Sequence, residues 1–198
     1  MVAEPWTSSA DFIPLSCLNV DVDLRYASAN NFVGRACYVD LDCAYLHKIA
    51  AEKLAGAAQL LQQCRPDLRL KVLDALRPRR AHLQLWAAVE GTPDAQYVAD
   101  PREGSVHSYG FAVDLTLFDP VKGELDMGSG FDEFDARSEP RREAELLAQG
   151  RLSAEHYANR RLLRQVMTDA GFLILDYEWW HFNALPPEVV RQHYPQID

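Results

Sequence analysis

The chain has 198 residues, 48% of them apolar and 25% charged, an ordinary mix for a globular protein with a substantial core. A formal net charge of −9 argues against nucleic acid as a partner, since phosphate binding needs a basic surface, and gives no support for docking on an anionic membrane. No stretch is long and apolar enough to span a bilayer, and the N-terminus MVAEPWTSSADF lacks the basic and apolar regions of a secretion signal. The expected address is the cytoplasm, or the periplasm if a leader has been removed.

No internal repeat and no linker divides the chain, so residues 1–198 are expected to form one domain. Residues 11–40 read as loops with short extended pieces. From Asp42 to Gln63, the apolar positions Leu46, Ile49, Ala50, Leu54, Ala57, Leu60 and Leu61 recur at helical spacing. Pro66 lies just past that helix. Leu68 to Ala75 alternates apolar and basic residues and predicts a strand. Pro78 opens a second helix through Ala81, Leu85, Trp86 and Val89, which stops near Gly91.

Gly110 to Phe118 predicts the clearest strand. Phe111, Val113, Leu115 and Leu117 line one face, and Ala112, Asp114, Thr116 and Phe118 line the other. Asp119, Pro120 and Gly123 form a turn, with a short return strand expected at Leu125 to Met127. Residues 128–152 read as irregular. Ser153 caps a helix that runs to Ala170, with Leu162, Leu163, Val166 and Met167 inward and Gly171 closing it. Phe172 to Phe182 reads as one final strand. The order of elements predicts an α+β fold, an antiparallel sheet with helices packed against it.

The four cysteines are Cys17, Cys37, Cys43 and Cys64. None forms a C-x-x-C pair, which disfavours a thiolate zinc site. Free cysteines are expected, with Cys37 and Cys43 the pair to check for a bridge.

Two clusters can hold a metal: S-V-H-S-Y-G-F-A-V-D, with His107 and Asp114, and E-W-W-H, with Glu178 and His181. A catalytic zinc takes three nitrogen and oxygen ligands and keeps a fourth position open. Two histidines and an aspartate meet that need. Asp114 sits in an otherwise apolar strand, where a carboxylate is costly unless paired or bound to a cation. Taken alone, Asp114 fits a salt bridge as well as a metal site, and Glu178 with His181 fits a surface pair beside two core tryptophans. His47, His82, His156 and His193 have no partner pattern and read as surface or hydrogen-bonded residues. Residues three apart on a regular strand face opposite sides, so Glu178 and His181 can meet one ion only if the backbone is irregular near Trp179 and Trp180.

These clusters resemble the D-Ala-D-Ala dipeptidases of the VanX type. The segments L-R-Y-A-S-A-N-N-F-V-G at 24–34, D-A-L-R-P at 74–78 and D-M-G-S-G-F-D-E-F at 126–134 extend the resemblance over nearly the whole chain. It implies one zinc per chain, held by His107, Asp114 and His181, with Glu178 as catalytic base. It implies that Arg77 stabilises the transition state, and that Tyr26, Ser105 and Asp132 hold a small dipeptide. Arg77 alone could equally bridge to a surface carboxylate, and Asp132 could cap a turn. Family members often carry Arg after H-S, where this chain has Tyr109. A carboxypeptidase acting on longer cell-wall peptides and a non-catalytic zinc module are the alternatives. Glycopeptide resistance and recycling of cell-wall dipeptide both stay open as the role of such an activity.

Overall fold

The computed structural model describes residues 4–198. Strand β1 (Phe12–Pro14) precedes β2 (Asp21–Val22), and β3 (Tyr45–His47) leads into helix α1 (Lys48–Cys64). The periodic segment therefore starts as a strand: Tyr45–His47 pairs antiparallel with Phe12–Pro14, which delays the helix past the expected Asp42. Helix α1 buries Ala50, Leu54, Ala57 and Leu61 along one stripe, as its spacing requires.

Strand β4 (Arg69–Asp74) and helix α2 (Arg79–Val89) follow, with Pro78 at the helix entry. Strand β5 (Ala112–Asp119) turns into β6 (Gly123–Glu124). This return strand lies two residues earlier than expected, because Asp119 Oδ1 accepts from the amides of Val121 and Lys122 and tightens the turn. The stretch 128–152 is mostly irregular, yet it holds a short helix α3 (Glu143–Ala148) that buries Leu146. Helix α4 (Ala154–Asp169) is capped by Ser153, whose side chain accepts from the His156 amide, and Gly171 closes it at φ +87°.

The expected final strand is a hairpin: β7 (Leu173–Leu175), a turn at Asp176–Tyr177, then β8 (Glu178–Asn183). Helix α5 (Pro187–His193) ends the fold. The main sheet runs β2-β4-β5-β8-β7, with β6 also on β5. All its pairs are antiparallel except β2–β4. Helices α1 and α4 pack together and against the sheet, so the fold is α+β. Both faces of β5 are buried from Ala112 to Leu117, which places Asp114 and Thr116 in the interior. Among the described residues, no helix is long and apolar enough to cross a membrane.

Candidate active site

Strand register builds the centre of the site. Asp114 on β5 stands opposite His181 on β8 and opposite Asp74 on β4. The second pairing depends on an extra residue, Leu73, where the β4–β5 register shifts between Val72 and Asp74. Cross-strand neighbours share a face, so this bulge brings Asp74 to the side of Asp114. His107 comes from a 3-10 turn, Val106–Tyr109, just before β5. Gly110 joins the two at φ +74°, where a Cβ would lie 2.7 Å from the Phe12 ring and 2.9 Å from the His47 amide. Only glycine fits that junction.

His107 Nε2, Asp114 Oδ1 and His181 Nδ1 form a triangle with edges of 3.3, 2.9 and 3.2 Å. Ligand atoms on a tetrahedral ion with bonds of ~2.0–2.1 Å lie about 3.3–3.4 Å apart. The donor set and its spacing therefore fit a small divalent ion. The outer nitrogens agree. His107 Nδ1 lies 2.8 Å from the Ala75 carbonyl, which can only accept, so a neutral ring presents Nε2 as a lone pair. His181 Nε2 lies 2.9 Å from Asn183 Oδ1, which leaves Nδ1 bare when the ring is neutral. Burial alone would push the Asp114 carboxyl up, but His107 and His181 outweigh it and hold the group well below the usual range.

Glu178 opens β8, with Oε2 4.0 Å from His181 Nδ1. One step on β7, Leu175 to Ile174, spans Glu178 to Phe182 on β8. Trp179, Trp180 and His181 thus have no partner on β7, which is the backbone irregularity that their spacing predicts. The Trp179 indole donates to Ser129 Oγ at 2.9 Å, and Trp180 packs edge-on against Phe131. Burial raises the Glu178 carboxyl to about 8.

Arg77 is buried. Its Nε donates to Asp74 Oδ2 at 2.8 Å, Nη2 lies 2.7 Å from the same oxygen and 3.6 Å from Asp114 Oδ2, and Nη1 lies 3.4 Å from His82 Nδ1. Asp74 takes a further hydrogen bond from the Tyr38 hydroxyl. Reading the sequence alone missed Asp74, Tyr38, Asn183 and the part played by His82. Asp74 carried a usable signal, since it too is a carboxylate at the end of an apolar strand. His82 is buried and hydrogen-bonded to the Ala99 carbonyl at 2.8 Å.

A cavity of about 170 Å³, sized for a small molecule, brings Arg77, the His107–Asp114–His181 triangle and Glu178 together with Tyr26, Ser105 and Asp132. Asp132 adopts φ +59°, unusual for a residue other than glycine. Its Oδ1 accepts from the Tyr26 hydroxyl at 3.0 Å, while Oδ2 is buried with no hydrogen-bond partner among the described residues. Burial, helped by the nearby Asp114 charge, raises its carboxyl well above the ordinary value. Ser105 is buried in the cavity wall, and its side chain makes no cap to the turn that follows. Tyr109 packs beside Gly104, outside the cavity lining. Cys37 and Cys43 are buried free thiols, not a disulfide.

The D-ala-D-ala dipeptidase family profile matches residues 9–198. A protein named D-alanyl-D-alanine dipeptidase from Escherichia coli (strain K12) is 42% identical over 165 residues, 83% of this chain and 79% of its own. One of the same name from Enterococcus faecalis (strain ATCC 700802 / V583) is 43% identical over 182 residues, 82% of this chain and 85% of its own. Another, from Enterococcus faecium, is 33% identical over 181 residues, 81% of this chain and 83% of its own. With the profile covering all but the first residues and relatives this similar along most of both chains, the chain belongs to the D-Ala-D-Ala dipeptidase family.

Proposed function

We propose that this protein hydrolyses D-alanyl-D-alanine to two D-alanines, with one zinc held by His107, Asp114 and His181. The observation that carries the reading is the meeting, in one small cavity, of a three-donor triangle, a buried carboxylate and a buried guanidinium. Bound zinc supplies Lewis-acid chemistry, polarising a carbonyl oxygen and making water more acidic.

The chain's own groups do the rest. Glu178 accepts the proton of the attacking water and returns it to the leaving amine, so the peptide C–N bond breaks as one water is consumed. Arg77 meets the negative charge that develops on the carbonyl oxygen. Asp74, the Tyr38 hydroxyl behind it, and His82 hold the guanidinium in place before reaction. Asp132 and the Tyr26 hydroxyl receive the substrate ammonium, and Ser105 lies in the same wall.

The orphaned Oδ2 of Asp132 favours a free dipeptide over a longer chain, since only a free amine brings a charge to pair with it. The test is hydrolysis of D-Ala-D-Ala by purified protein, with and without a chelator. Turnover lost on chelation and restored by zinc supports the reading; no turnover by the zinc-loaded protein rejects it.

A further inference from the structure

We infer that Arg191, on the C-terminal helix α5, anchors the free carboxylate of the substrate and so confines the site to peptides that end inside the cavity. This inference rests on the dipeptidase reading above. A dipeptide carries an ammonium at one end and a carboxylate at the other. The ammonium has an evident partner in Asp132. The carboxylate must enter a cavity whose walls already carry Asp114, Asp132 and Glu178, so it needs a cation.

Among the described lining residues, the permanent cations are Arg77 and Arg191. Arg77 is already committed, with Nε and Nη2 on the buried carboxylate of Asp74 and Nη1 beside His82. Its charge is balanced within the wall. Arg191 differs. Its Nε and Nη2 both donate to one neutral acceptor, the Gly104 carbonyl, at 3.2 and 2.9 Å. The anion beside it is Glu103, at 3.7 Å from Nη1, and that side chain is 71% exposed, so solvent screens the pair. Arg191 itself is about one-third exposed. It therefore presents a positive charge that no buried anion of the wall neutralises.

Its position is also fixed from both sides. Val190, the preceding residue, is fully buried and pins α5 to the core. Gly104 lies at φ +82°, where a Cβ would stand 3.0 Å from Gln196 Nε2 and 3.1 Å from the Tyr109 hydroxyl. The carbonyl that orients the guanidinium thus belongs to a tightly packed turn, next to Ser105 in the cavity wall. An arginine held through two of its five N–H groups keeps the others for a carboxylate, the pairing its planar fork suits best.

The experiment compares D-Ala-D-Ala with D-alanyl-D-alaninamide, which lacks the carboxylate charge, on zinc-loaded wild type, Arg191→Gln and Arg191→Lys. Wild type should favour the acid in kcat/KM. Arg191→Gln should raise KM for the acid roughly ten- to a hundredfold, the usual effect of a hydrogen bond to a charged group, with a much smaller change in kcat. The acid-to-amide preference should fall by the same factor, and Arg191→Lys should restore part of it. An Arg191→Gln variant that loses both substrates in equal proportion, or keeps the wild-type preference, overturns the inference and leaves Arg191 as a tie between α5 and the Gly104 turn. If Arg191→Gln does not fold, the charge-free Arg191→Met, which keeps the aliphatic stem, decides in its place: a preference unchanged from wild type, with KM for the acid also unchanged, overturns the inference. Wild type inactive on both substrates is a separate result that removes the dipeptidase reading and this inference together.

Discussion

Asp114 stands directly across the β5–β8 ladder from His181, with its Oδ1 2.9 Å from the imidazole Nδ1. Two acceptor atoms held this close, with His107 Nε2 3.2 Å from the same imidazole nitrogen, need a cation or a proton among them. A metal is the expected occupant. Dialysed wild type should retain about one zinc per chain. His181→Ala should lose most of it, along with turnover. Elemental analysis that finds full zinc in His181→Ala would remove that residue from the ligand set.

Glu178 is expected to serve as base and not as ligand, because its Oε2 lies 4.0 Å from His181 Nδ1, outside the tight triangle of donors. Glu178→Ala should lower kcat by ~10²–10⁴ and keep its zinc. Loss of the metal together with activity would make Glu178 a ligand instead.

Periodicity exposed much of the fold and little of its pairing. The alternation in β5 and the stripe of α1 are local patterns, legible in a single sequence. Register is not local. The extra residue Leu73, which sets Asp74 beside Asp114, follows from how two distant strands meet. Phe172 to Phe182 read as one strand because it is largely apolar and its turn, Asp176–Tyr177, has neither glycine nor proline. The ligand candidates were visible as residue types, and the resemblance singled them out. Their supports were not: Tyr38 reaches Asp74 from a segment 36 positions away, and His82 looked like any histidine on a helix.

Arg77 is held by two nitrogens on Asp74 before any substrate arrives. Such preorganisation acts on charge that appears in the transition state. Arg77→Ala should therefore lower kcat more than it raises KM, with a loss of about 2.7–4 kcal/mol, the size seen for one oxyanion donor. Arg77→Lys should recover little, since an ammonium cannot reproduce the fork toward Asp74. Steady-state kinetics check this; an unchanged kcat with a raised KM would reduce Arg77 to a substrate anchor.

His82 is expected to make stability depend on pH. Burial first, and then the Arg77 charge, lower its pKa from 6.5 to about 4. Between those values the unfolded chain binds a proton that the folded protein refuses. The contribution is intact above about pH 6.5 and is lost as pH falls toward 4, by up to ~1.4 kcal/mol per unit and roughly 3 kcal/mol in all. Denaturant unfolding across this window should show wild type losing more stability than His82→Asn, whose side chain does not titrate there. Parallel losses in the two proteins would show that His82 contributes nothing to the acid sensitivity.

Asp132 is expected to set how long a substrate the site accepts. Its Oδ1 is taken by the Tyr26 hydroxyl, and its Oδ2 is buried without a partner, in a backbone conformation of φ +59°. An unpaired carboxylate oxygen held in a strained loop is costly, and a ligand that brings a donor repays that cost. The ammonium of a free dipeptide would do so through a charge-assisted hydrogen bond, and it would favour the ionised form of a carboxyl whose pKa burial raises. An acylated amine brings no charge, so the carboxyl would remain buried and uncompensated. Sites built to hydrogen-bond a group reject analogues that lack it by up to ~10⁴–10⁵. Wild type should thus turn over D-Ala-D-Ala while barely attacking N-acetyl-D-Ala-D-Ala, which mimics the end of a longer peptide. Asp132→Asn should lose most activity on the free dipeptide and narrow the gap between the two substrates. Equal turnover of both by wild type would mean that no ammonium pocket operates here, and would favour a carboxypeptidase acting on longer peptides.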